Sequence, residues 1–176
     1  MQVSKALENF TYPDITAFLD LTWSGSSRRV HIKLVADTPL TRQFVALCLG
    51  HTGLTYHNTN LLNTENYNNS RIIWGGDISG QIAAGNQVLP PIESSECGGA
   101  VVMKPGMVVA ATDLSNAAQR TQFGIVVKYN SIGHVHNSSF YHLGFVDVDG
   151  QSVVERAVVS KYGIKNVKVT NCGVVY

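Results

Sequence analysis

The alternation of apolar and polar positions starts near residue 15. In residues 15–23, Ala17, Leu19 and Leu21 fall on one side and Phe18, Asp20 and Thr22 on the other, the period of a half-buried strand. Ser24-Gly25-Ser26-Ser27 is turn chemistry. Residues 29–36 alternate again, with Val30, Ile32 and Leu34 against Arg29, His31 and Lys33, so the two runs predict a hairpin. The period then lengthens: Leu40, Phe44, Leu47 and Cys48 recur at helical spacing. Thr38 suits the N-cap, Pro39 the first helical position and Gly50 the residue past the end. Three independent signals thus bound one helix.

The middle of the chain is more polar. A strand is predicted at 59–63, an Asn-rich turn at 64–69 and a second strand at 71–74, stopped by Gly75-Gly76. Residues 78–99, rich in Gly, Ser and Pro, read as an extended loop. Further strands are predicted at 101–104, 107–112, 122–129, 140–146 and 167–175. A second helix is predicted at 151–161, with Val153, Val154, Ala157 and Val158 inward and Gly163 as its stop. Residues 1–14 show no clean period and read as a lead-in or linker, and 15–176 as one domain. Many strands with one early and one late helix predict a mainly β architecture, a closed antiparallel barrel whose open ends the helices cover.

Composition narrows the function classes. Thirteen basic against twelve acidic residues leave a formal charge of +1, without the concentrated basic surface that nucleic-acid binding needs. No apolar run reaches the length of a membrane span, and the start does not resemble a secretory signal. The three cysteines, Cys48, Cys97 and Cys172, are odd in number and widely separated, which fits free thiols in a reducing, intracellular setting. His134 and His136 would share one strand face, but no acidic or cysteine third ligand lies nearby, so neither a metal nor another cofactor is expected. Cys97 beside Gly98-Gly99 has no identifiable base and reads as an ordinary loop thiol, and Trp23 reads as packing at the end of the first strand.

Taken in order, several segments resemble the cyclophilin family, the peptidyl-prolyl isomerases with an eight-stranded barrel. They are Phe18-Leu19-Asp20-Leu21, residues 30–36, the Pro39-led helix with Phe44 and Leu47, Gly75-Gly76-Asp77, Pro105-Gly106-Met107, Gln122-Phe123, Leu143-Gly144-Phe145-Val146, the late helix and Asn171-Cys172-Gly173. They span about residues 15–174. The resemblance implies a closed eight-stranded antiparallel β-barrel capped by two α-helices. It also implies a groove that lowers the barrier of about 20 kcal/mol to rotation about an Xaa–Pro bond by favouring the twisted amide, with no covalent step.

The residues that do this work in the family are largely replaced here. The family's third-strand Phe-His-Arg falls at Leu61-Leu62-Asn63, so a neutral amide, Asn63, stands where the forked cationic donor belongs. Trp74 replaces the glutamine before Gly-Gly-Asp, and Arg71 and Ile72 stand for pocket Phe and Met. Ala111 and Gln122 are retained and Thr112 replaces an asparagine. Gly124 stands where a phenylalanine floors the proline pocket, and Phe140 replaces the pocket histidine. The tryptophan-leucine pair expected near Val135-His136 and the glycine-rich loop of the family are missing.

The resemblance therefore implies a pseudo-isomerase that serves as a protein-interaction module, one domain of a longer intracellular protein, nuclear or cytoplasmic, with a protein or peptide partner. No nucleic acid, membrane or cofactor is expected. Two alternatives stand beside it: a weak isomerase that uses Arg71, and a structural or self-association domain. Trp74 either fills the former groove or anchors a partner, and Gln122 either binds peptide backbone or satisfies a neighbour in the sheet.

Overall fold

The computed structural model describes residues 15–67, 69–85, 89–129, 139–159 and 163–175. The expected lead-in at 1–14, His134, Val135 and His136 lie outside these residues. The first hairpin forms as its pattern predicts. β1 (Thr16–Trp23) and β2 (Ser26–Leu34) pair antiparallel with Trp23 opposite Ser26. Ser24 and Gly25 take positive φ angles of 48° and 78°, which gives the connection the handedness a two-residue hairpin needs. α1 (Pro39–Leu49) carries all three of its sequence signals: Thr38 and Thr41 form a reciprocal capping box, proline opens the first turn, and Gly50 closes it at φ 69°.

β3 (Asn63–Tyr67) and β4 (Ser70–Gly75) correct the expectation of a long turn. Most of the Asn-rich stretch is strand, and the chain reverses between Tyr67 and its partner Ser70. The strand expected at 59–63 instead bonds β9 (Lys168–Val175) through its backbone: Asn58 N donates to Val169 O, Val169 N to Thr59 O, and Leu61 N to Val167 O. The loop expected at 78–99 holds a short helix, α2 (Ser79–Ala84), and a 3-10 turn at Ser94–Glu96. β5 (Val101–Val102) is only two residues long. β6 (Met107–Ala110), β7 (Phe123–Lys128) and β8 (Ser139–Phe145) lie where strands were expected, and α3 (Ala117–Arg120) was not expected. α4 (Val148–Val158) starts three residues early because the Asp147 carboxylate accepts from Gly150 N and caps it there. It ends at Val158, so Gly163 does not stop it.

Eight strands form one antiparallel sheet in the order β3-β4-β7-β6-β8-β2-β1-β9, and β5 pairs with β8. The sheet is curled but open: its ladder ends at β3 and β9 and is not the closed barrel expected. Asn60 makes one isolated bridge to Lys168 across that gap. The inner face buries the main core, where Phe44, Tyr56 and Phe123 meet with ring centroids 5.1–5.8 Å apart and Trp23 packs at its margin. Val153, Val154 and Ala157 of α4 are buried in the same core. Among the described residues, no helix is long and apolar enough to cross a membrane.

Candidate functional site

Strand alternation gives the sheet a second, outer apolar cluster. Successive side chains of β4 point to opposite faces, so Ile72 and Trp74 leave the inner core while Ile73 joins it. Register sets Trp74 beside Gly124 and Ile72 beside Val126 on β7, and Val109 of β6 beside Gly124 on its other edge. Ile72, Trp74, Met107, Val109, Val126 and Phe140 pack together there, joined by Leu62, Tyr67 and Met103.

Above this cluster lies a depression of about 280 Å³ lined by Asn63, Glu65, Trp74, Ala111, Gln119, Gln122 and Phe140. Five positions singled out from sequence, Asn63, Trp74, Ala111, Gln122 and Phe140, thus converge from five separate segments. Asn63 sits directly opposite Trp74 in the β3–β4 ladder. Two more, Ile72 and Gly124, do not line the depression but are buried against Trp74. A Cβ on Gly124 would come within 2.5 Å of Ile72 Cγ2 and 3.1 Å of the Trp74 ring, so the indole fills the space a side chain would have taken. Trp74 is only 6% exposed and its ring centroid lies 5.9 Å from that of Phe140. Filling, not projection, describes this residue.

The amide side chains of the depression are unspent. The side-chain amides of Asn63, Gln119 and Gln122 make no hydrogen bond to another described residue, so Gln122 does not satisfy a sheet neighbour. Trp74 Nε1 is buried without an acceptor among the described residues. Elsewhere the amides are used: Gln43 donates to the Arg120 carbonyl, and Gln81 both accepts from Thr55 N and donates to Thr55 O.

Two of the expected residues lie apart. Thr112 is exposed and lines a neighbouring depression of about 380 Å³ with Leu114 and Arg120. Arg71 is on the opposite face of β4 from Trp74. Its Nε donates to Asn66 Oδ1 at 2.8 Å, and its guanidinium lies 3.7 Å from the Tyr129 ring centroid. The alternation of the strand therefore keeps it out of the groove.

Sequence reasoning missed Glu65 and Gln119. Glu65 was hidden in the supposed turn, although Asn63, Glu65 and Tyr67 at spacing two opposite Ile72 and Trp74 are the signal of an edge strand. Gln119 sits on a helix too short to leave a period. Arg120 was also missed: it is buried, donates to the carbonyls of Leu114, Leu89 and Pro90, and ties two loops together. Burial lowers its pKa below the usual arginine value.

Nucleophilic and metal chemistry find little support in the side chains. Burial raises the pKa of Cys48, Cys97 and Cys172, which keeps each as a thiol and not the reactive thiolate. Among the described residues, no group of three or more His, Cys, Asp or Glu is placed to hold a metal ion. In comparisons with known proteins, no family model matches the chain and no curated protein matches it.

Proposed function

We propose that this chain is a cyclophilin-like domain, an opened form of that barrel, which has lost isomerase chemistry and binds a segment of a partner protein in its outer groove. The observation that carries this is the convergence of Asn63, Trp74, Ala111, Gln122 and Phe140 on one depression whose amide side chains are unspent. Amides offer both a donor and an acceptor, which suits the backbone of an extended peptide. A neutral amide at Asn63 supplies no charged donor to an amide losing its double-bond character. The base that would receive a proline ring is filled by Trp74 over Gly124. Backbone contacts thus remain available while the groups for bond rotation are gone.

A weak isomerase built on Arg71 has no geometric support, because that guanidinium faces away from the groove and is engaged by Asn66 and Tyr129. The resemblance, and the free thiols, carry the placement of the domain in the nucleus or cytoplasm, as part of a longer protein. The test is exchange NMR with Xaa–Pro peptides, recording the labelled protein's amide shifts in the same tubes. The expected result is shifts at Asn63 and Gln122 with no acceleration of cis–trans exchange. Accelerated exchange abolished by Arg71→Ala would overturn the proposal in favour of a rebuilt isomerase.

A further inference from the structure

The groove carries a charge that points to what it selects. Glu65 is the only ionisable side chain among its described lining residues. Its Oε2 accepts from the Tyr67 hydroxyl at 2.5 Å, and it forms no ion pair with a described residue. Asp20 and Asp37, by contrast, are each held by an arginine, at 2.8 Å and 2.6 Å. An exposed carboxylate on the rim of a concave surface, with no ion-pair partner among the described residues, is complementary to a positive ligand.

Shape leads the same way. The apolar base is occupied by Trp74, whose edges meet Phe140, which in turn stands edge-on to Tyr67 with centroids 6.1 Å apart. Little depth is left for an apolar side chain, so discrimination falls to the rim. A lysine or arginine fits such a place: its methylenes lie along apolar wall while the charged head stays near water. The three unspent amides supply hydrogen-bonding capacity around it.

We propose that the groove binds an extended peptide segment and selects a lysine or arginine at one position, its cationic head pairing with Glu65. This rests on the groove being the partner-binding site. The pair would be partly exposed, so its effect is modest and salt-dependent.

The test pans a random decapeptide library against the full chain, then compares the consensus peptide with its lysine-to-norleucine analogue by NMR titration. Expected are enrichment of Lys or Arg at one position and norleucine binding about three- to fivefold weaker. Glu65→Gln should bring the two peptides to equal affinity, and the substitution is at an exposed strand position that the fold tolerates. Groove binding with equal affinity for both peptides, or a lysine preference that survives Glu65→Gln, would overturn this inference alone. Recovered peptides that move no Asn63, Gln119 or Gln122 amide, or no recovered peptide at all, would overturn it together with the groove assignment.

Discussion

The two faces of the curled sheet treat polar groups differently. On the inner side, the buried Tyr56 hydroxyl donates to Thr121 O at 2.5 Å, and the part-buried amides of Gln43 on α1 and Gln81 on α2 are committed to backbone. On the outer face, Trp74 is nearly as buried, yet its Nε1–H has no acceptor among the described residues, and the amides around it face solvent without a protein partner among them. A buried donor without a partner costs free energy that folding alone gives no reason to spend. On the proposed reading, the contrast separates a region built for stability from one whose hydrogen-bonding groups serve a partner. The other described orphan, Arg120 Nε, belongs to a guanidinium that already donates to three carbonyls, so it falls on the structural side.

Breaking the inner face should have the largest effect. Phe123 is fully buried with its ring edge-on to Phe44 and Tyr56, and Phe123→Ala should cost about 3–5 kcal/mol in urea unfolding. On the outer face, Gly124→Ala forces a methyl against Ile72 and Trp74 and should cost about 1–3 kcal/mol by the same measurement. Insensitivity to that alanine would mean the indole does not fill the floor.

A matched pair sharpens the contrast. Tyr56→Phe strips the Thr121 carbonyl of its buried donor and should cost about 1–2 kcal/mol. Trp74→Phe removes an unpartnered N–H along with some packing, so the two changes offset to within about 1 kcal/mol. Equal losses at both sites would erase the distinction between the faces.

The smallest effect concerns pH. His142 on β8 donates from Nε2 to Gly144 O, and burial holds its pKa below the ordinary 6.5. The unfolded chain therefore takes up this proton first. The His142 contribution is complete above pH 6.5 and is lost as pH falls through that value towards the lower folded one. His142→Gln should flatten the dependence of stability on pH just below neutrality, measured by thermal melts at stepped pH.

Sequence was most informative where local chemistry and burial agreed. Thr38, Pro39 and Gly50 bound α1 without any tertiary information, and Ser24-Gly25 dictates the first hairpin. It was least informative at β3. That strand has one edge free of the ladder, its residues Asn63, Glu65 and Asn66 are exposed, and asparagines there speak for a turn; pairing to the apolar β4 overrides that preference. The predicted start of α4 at 151 fell three residues late because the apolar period begins only at Val153, whereas the Asp147 cap opens the helix at Val148. Asn63, Trp74, Ala111, Gln122 and Phe140, singled out one by one along the chain, line one depression in the structure. Glu65 and Gln119 were not singled out, since their relevance depends on a strand and a one-turn helix that only tertiary packing creates. Arg71 stood as the alternative isomerase residue, but it is three positions from Trp74 on β4, and strand alternation puts the two on opposite faces.

The most direct measurement is a side-chain amide NMR titration with the peptides selected by panning, read at Asn63, Gln119 and Gln122 around the depression and at Gln43 on α1 and Gln81 on α2. Shifts confined to the first three are the predicted result. Shifts at Gln43, Gln81 or around Arg71 and Tyr129, with the outer-face amides unmoved, would contradict the account.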